Sequence, residues 1–164
     1  MENKYGYSKL QLVTLVLLRL IIGWQILYEG VAKLYTPNWS SAGFLRDSQW
    51  IMSDISQWIV SNNTVLSCVD FLNTWGLIAI GLGLMLGLFA RTASIAGAFL
   101  LFIYYLNCAP IIGIEYTYLI DGNSLIINKI LIESVALFAL AVFPTSSIIG
   151  LDVLFIWFKN KKKK

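Results

Sequence analysis

Three ionisable residues interrupt one greasy stretch, "LRLIIGWQILYEGVAKL" at positions 18–34: Arg19, Glu29 and Lys33. At about 100° per residue, Arg19, Gly23, Ile26, Glu29, Gly30 and Lys33 fall within an arc of about 120°. A second acid–base pair, Lys129 and Glu133 in "NKILIESVALFAL", is spaced i, i+4 and shares one helix face. Carboxylates beside ammonium groups in apolar surroundings can hold an anion, move a proton, or neutralise one another as a packing network. Charge facing lipid is costly, so these residues should face protein, and ionisable residues inside a membrane are functional candidates by default. Arg19 alone can also snorkel to an interface. The two cysteines, Cys68 and Cys108, lack CxxC spacing. They form a structural disulfide, a redox-active pair or two inert thiols.

Other chemistries lack their residues. The chain has no histidine, which removes the commonest metal ligand, the usual axial haem ligand and the default general base. No GxxxxGK[ST] loop is present. No metal site is expected, nor a histidine-based triad, a phosphate loop, or a haem or flavin site. The net charge of +3 is small and gives no argument for nucleic acid.

Hydrophobic elements must position the charged residues. The chain is 58% hydrophobic and 13% charged, with a mean hydropathy of +0.73. A soluble domain is nearer half apolar and a quarter charged, so lipid is the expected solvent. A span needs about 20 apolar residues, and four windows qualify: about 10–33, 71–90, 92–112 and 125–143. The first lacks an A-x-A cleavage site and reads as a retained helix, not a signal peptide. Residues 151–158 are too short to cross and should lie at the interface after Pro144. The 164 residues read as one transmembrane domain over 1–158, followed by a basic tail at 159–164.

Lysine and arginine flanks set the orientation. One side would carry Lys4, Lys9, Arg91, Lys159 and the terminal lysines, and the other is rich in Asp47, Asp54, Asp70, Glu115 and Asp121. Both termini should therefore be cytoplasmic. The long outward segment between the first two spans carries Trp39, Phe44, Trp50 and Trp58. Within it, residues 50–61 could form an amphipathic helix at the lipid boundary, as an anchor or as a lid. The tyrosine-bearing loop 113–123 is also outward.

This topology gives depths. The first helix runs outward and the fourth inward, so Glu29, Lys33, Lys129 and Glu133 converge near the outer mouth, with Arg19 in the inner half. Cys68 and Cys108 lie at the outer level. In the third helix Gly97, Leu101, Tyr104, Tyr105 and Cys108 share a stripe. In the second, Gly76, Gly83 and Gly87 align, and the GxxxG of Gly83 and Gly87 suggests close helix packing.

These segments resemble a known family. "LRLIIGWQILYEGVAKLYTPNW", "NTWGLIAIGLGLMLGLFART" and "NKILIESVALFAL" with its later "GLD" are similar to the DoxX family. The closest likeness is to the DoxD-like small subunit of thiosulfate:quinone oxidoreductase. The resemblance spans nearly the whole chain and is most specific at Trp24, Tyr28, Glu29, Gly30, Lys33 and "PNW". It implies an all-α, four-helix transmembrane bundle in a bacterial or archaeal cytoplasmic membrane. It also implies passage of electrons from thiosulfate to quinone beside a second subunit.

On that reading a quinone is the co-substrate, and thiosulfate is oxidised to tetrathionate. Trp24, Tyr28 and Tyr104 would wall the quinone, with Tyr105 nearby, and Lys33, Lys129 or Arg19 would donate to its oxygens. Glu29 or Glu133 would relay protons, and Cys68 and Cys108 would be a redox or structural pair. Two non-enzymatic readings compete with it. One is an anchor or assembly subunit bound to a partner or to further copies of itself. The other is a carrier of a small anion or lipid-like ligand.

Overall fold

The structure is a computed structural model and describes residues 6–49, 51–108 and 127–153. Trp50, the loop 113–123, the interfacial stretch beyond Val153 and the basic tail 159–164 lie outside the described residues. All regular elements among the described residues are helices: α1 Lys9–Tyr35, α2 Ala42–Arg46, α3 Ser53–Ser61, α4 Asn63–Leu86, α5 Ala90–Asn107 and α6 Lys129–Val142.

Local chemistry starts and stops the long helices. Ser8 and Gln11 form a reciprocal capping box on α1, at 3.2 Å and 2.9 Å. Asn62 accepts from Val65 N to open α4, and Asn128 accepts from Leu131 N to open α6. At the other end of α4, Gly87 adopts the left-handed conformation with φ 65°, and Leu88 N donates to Gly83 O at 2.9 Å. This glycine-ended turn satisfies carbonyls that the helix leaves open. The structure thus moves Gly87 out of the expected packing motif and makes it the stop signal. α3 falls within the stretch 50–61 that was expected to be helical, and α2, which the sequence did not suggest, precedes it.

α1 packs on α4, α5 on α6, and α4 on α5. Small residues permit the first contact. A Cβ on Gly81 would sit 2.6 Å from Leu27 N, and one on Gly30 would sit 2.8 Å from the Ile78 side chain. Backbones therefore meet where a side chain would block them. Around this seam, Ile22, Ile26, Leu77, Leu84, Leu101 and Leu137 form the buried core.

The outward faces are apolar too. Leu17, Ile21, Trp24 and Tyr28 on α1, Phe71 and Trp75 on α4, Phe99 on α5, and Ile132 and Phe138 on α6 are all exposed. Large apolar side chains outside and small residues at the helix contacts suit lipid, because water would penalise so much exposed hydrocarbon. α1 and α4 are long and apolar enough to cross a membrane. α5 has 18 residues and α6 has 14, about 27 Å and 21 Å of helix.

Candidate functional site

The described helices have two ends. α1 finishes and α6 begins at what we call the cap end, where α2 and α3 lie. The α4–α5 turn forms the other, the turn end. Glu29 and Lys33 stand near the cap end of α1, and Arg19 lies about 15 Å along the axis toward the turn end. All three fall on the face that also buries Gly23, Ile26 and Gly30. Arg19 is 4% exposed, and Glu29 and Lys33 are half-buried.

At the cap end, α4, α5 and the segment after α1 converge on Lys33. Its ammonium donates to Asn73 Oδ1 of α4 at 2.7 Å. It lies 4.8 Å from the Trp39 ring centre and 5.5 Å from that of Tyr104 on α5. Ring faces attract a cation, so the ammonium is held on several sides. Glu29 and Asp70 lie within its electrostatic reach. Asp70 Oδ1 accepts from both Ser41 N at 2.8 Å and Ser41 Oγ at 2.5 Å, which ties the segment before α2 to α4. The Tyr104 hydroxyl lies beside Asn73 but is buried without hydrogen-bond geometry. Phe44 of α2 meets the Tyr104 ring edge-on at 5.7 Å. Ser56 of α3 donates to Asn107 Oδ1 of α5 at 2.6 Å. Two polar contacts therefore fasten α2 and α3 over this end.

Glu133 of α6 belongs to the same region. Gln25 Nε2 of α1 donates to its Oε1 at 2.5 Å, and Lys129 Nζ lies 3.7 Å from that oxygen. Glu29 is within electrostatic reach of Lys33, Glu133 and Lys129. Glu133 of α6 is thus tied to α1 through Gln25, one turn from Glu29.

A cleft of about 300 Å³ opens between α1 and α4, lined by Lys33, Leu34, Asn38, Trp39, Asp70, Phe71, Thr74 and Trp75. That volume is at the small end for ligand sites. The Lys33 ammonium and the Asp70 carboxylate supply its charge. Phe71 and Trp75, at 6.2 Å between ring centres, lie on the exposed outer flank. A larger cleft of about 430 Å³ at the turn end is lined by Tyr7, Leu10, Gln11, Thr14, Leu15 and Phe143. Its described lining holds no charged side chain.

Arg19 belongs to a separate cluster. Its Nη1 donates to Thr145 Oγ1 at 3.1 Å and its Nη2 to Ile149 O at 2.9 Å. Asp152 is within electrostatic reach, and its carboxylate accepts from Phe89 N at 2.8 Å. Leu151 N donates to Leu86 O, and Asp152 N to Gly87 O. The "GLD" segment thereby clasps the α4–α5 turn. Glycines are needed at this contact, since a Cβ on Gly87 would sit 2.7 Å from Gly150 Cα.

The structure therefore brings Glu29, Lys33, Tyr104, Lys129 and Glu133 to one end and leaves Arg19 at the other. Trp24 and Tyr28 do not wall this region. They are 60% and 65% exposed, because Tyr28 falls about 180° and Trp24 about 140° from Arg19 on the helix wheel. Trp39, Phe71 and Trp75 line the cleft instead. Tyr105 is buried and stacks with Phe102 at 6.2 Å. Cys68 is exposed, Cys108 is buried, and both are free thiols, so of the alternatives left open for them no disulfide is observed. Among the described residues no group of acidic or cysteine side chains could hold a metal ion.

Sequence reading did not select Gln25, Asn73 or Asp70. Gln25 had a visible signal, as a polar residue one turn before Glu29 in an apolar helix. Asn73 and Asp70 had none beyond their polarity in α4. Comparison with known families matches the chain to DoxX over residues 14–107. No curated protein and no solved structure matches the chain.

Proposed function

The chain belongs to the DoxX family, and from that membership we propose a four-span membrane protein whose cap-end cleft binds the headgroup of a membrane quinone. In this reading α1, α4, α5 and α6 are the spans, both termini are cytoplasmic, and α3 lies at the outer interface. The cap end then faces away from the cytoplasm. The protein is the membrane subunit of a quinone-linked system in a bacterial or archaeal cytoplasmic membrane. A second subunit brings electrons from thiosulfate.

One observation carries the reading. The cleft places an ammonium, Lys33, against Trp39, and opens past Phe71 and Trp75 on the lipid-facing flank. A quinone needs an apolar slot for its ring, a donor for a carbonyl oxygen, and an exit for its tail. Lys33 is the donor and stabilises negative charge as the oxygen is reduced. Trp39 and Trp75 flank the ring, and the tail leaves across Phe71 into lipid. In the overall reaction two thiosulfate ions give up one electron each and join as tetrathionate. The quinone takes both electrons and two protons to become quinol.

Saturable quenching of tryptophan fluorescence by a short-chain quinone, with the purified chain in lipid nanodiscs, tests the site. Lys33→Met should weaken binding about 10-fold or more, the loss of one charge-assisted hydrogen bond. Quenching that rises linearly with quinone in the unaltered protein, as simple partitioning gives, would overturn the reading. Thiosulfate-dependent quinone reduction in membranes, lost in Lys33→Met at normal protein levels, tests the donor.

A further inference from the structure

We propose that Asp70 makes the cap-end cleft select the reduced form of its ligand, the quinol, over the quinone; this rests on the quinone reading above. Asp70 and Lys33 both line the cleft and both are half-buried, yet no ion pair joins the two. Each keeps hydrogen-bonding capacity unused. An ammonium has three donors. One goes to Asn73 Oδ1 at 2.7 Å, which leaves two. A carboxylate has two acceptor oxygens. Ser41 N and Ser41 Oγ both donate to Oδ1 of Asp70, at 2.8 Å and 2.5 Å. Its Oδ2 has no hydrogen bond among the described residues.

Helix geometry places these groups together. Asp70 and Asn73 are three apart on α4 and share a face, with Asp70 nearer the cap end. The acceptor that holds the Lys33 ammonium and the acceptor that stays open therefore stand side by side, about 5–6 Å apart at their Cβ atoms. In a cleft of about 300 Å³, a ligand that takes the free Lys33 donors also lies beside the Asp70 carboxylate.

The two redox forms differ at that contact. A quinone carbonyl oxygen only accepts, whereas a quinol hydroxyl also donates. A carbonyl beside Asp70 sets two acceptors against each other with no hydrogen between them, which is unfavourable away from water. A quinol hydroxyl instead donates to the carboxylate in a charge-assisted hydrogen bond. Lys33 donates to an oxygen of either form, so it does not choose between them. Tighter binding of the product favours the reduction, in which the quinone takes two electrons from thiosulfate and two protons from the medium. The equilibrium in the cleft shifts by the ratio of the two affinities. A preference of about 10-fold raises the two-electron potential of the bound couple by about 30 mV.

Calorimetric titration under argon tests this, with the full chain in nanodiscs and empty nanodiscs as the blank. A short-chain quinone and its quinol are added in separate runs. The unaltered protein should bind the quinol about 10-fold more tightly than the quinone. Asp70→Asn keeps the size of the side chain and the tie to Ser41, whose two donors hold the amide oxygen at the place of Oδ1. The amide NH₂ then occupies the place of Oδ2, and a donor replaces the acceptor. The preference should invert, with the quinone bound about 3-fold more tightly than the quinol. Saturable but equal binding of the two forms by the unaltered protein overturns the proposal and leaves the quinone site standing. An undiminished quinol preference in Asp70→Asn does the same. Absence of saturable binding for either form overturns the quinone site and the proposal with it. If Asp70→Asn does not fold, the ratio in the unaltered protein decides alone.

Discussion

The Arg19 guanidinium donates to Thr145 Oγ1 over 3.1 Å, although 126 residues separate the two. This contact joins the first long helix to the chain just beyond the last. Arg19→Lys keeps the charge but cannot reproduce the fork that also reaches Ile149 O. It should destabilise the protein by about 2–3 kcal/mol, in line with hydrogen bonds from charged groups. Thr145→Val removes one partner and should cost about 1 kcal/mol. Thermal unfolding in mild detergent reads both. Equal shifts for the two variants would show that the fork does not matter.

Gly81 and Gly76 lie in the same helix with opposite surroundings. A Cβ at Gly81 would enter the Leu27 backbone at 2.6–2.7 Å, whereas a Cβ at Gly76 meets nothing within 4 Å. Gly81→Val should force α1 and α4 apart and cost about 3 kcal/mol, at the upper end of overpacking penalties. Gly76→Ala should leave stability unchanged or raise it by less than about 1 kcal/mol. Folded yield by size-exclusion chromatography and thermal unfolding distinguish the two.

The contrast between these glycines shows where sequence reading stops. The charged stripe of α1 was legible because the 3.6-residue period fixes which side chains share a face. The same period sends Trp24 and Tyr28 outward, but their place beside Glu29 in the motif drew them into the expected pocket. The GxxxG spacing of Gly83 and Gly87 pointed to helix packing without showing where the helix ends. Gly87 ends it with φ 65°, and Gly81 makes the close approach to α1. The partners of Lys33, Arg19 and Glu133 come from distant segments: Asn73, Thr145 and Gln25. No local pattern encodes such pairings. They follow from how the helices stack, which is why the charges were legible and their arrangement was not.

Tyr104 carries a buried hydroxyl without a hydrogen-bond partner. Burying an unpaired hydroxyl is unfavourable, and the ring keeps its contacts without it. Tyr104→Phe should therefore raise stability by about 1 kcal/mol or leave it unchanged. Chemical unfolding in mixed micelles provides the measure. A loss of more than about 1 kcal/mol would mean that the hydroxyl is bonded in the folded protein.

The two thiols differ in access. Cys68 is exposed and Cys108 is 2% exposed. In the folded protein a maleimide should label Cys68, and Cys108 should react only after denaturation, since access governs thiol reactivity. Mass spectrometry of labelled peptides gives the count at each position. A non-reducing gel should show no internal cross-link before labelling.

The clasp formed by Thr145, Ile149, Gly150 and Asp152 bears on how the molecule is made. During synthesis α1 emerges early, with Arg19 already in its apolar length, while the atoms that receive that guanidinium are added after almost every other described residue. Until then the helix holds a cation with no acceptor, an arrangement disfavoured in hydrocarbon. A chain that halts at Val142 keeps this defect permanently. An unfinished molecule thus carries an unpaired guanidinium that the folded one does not.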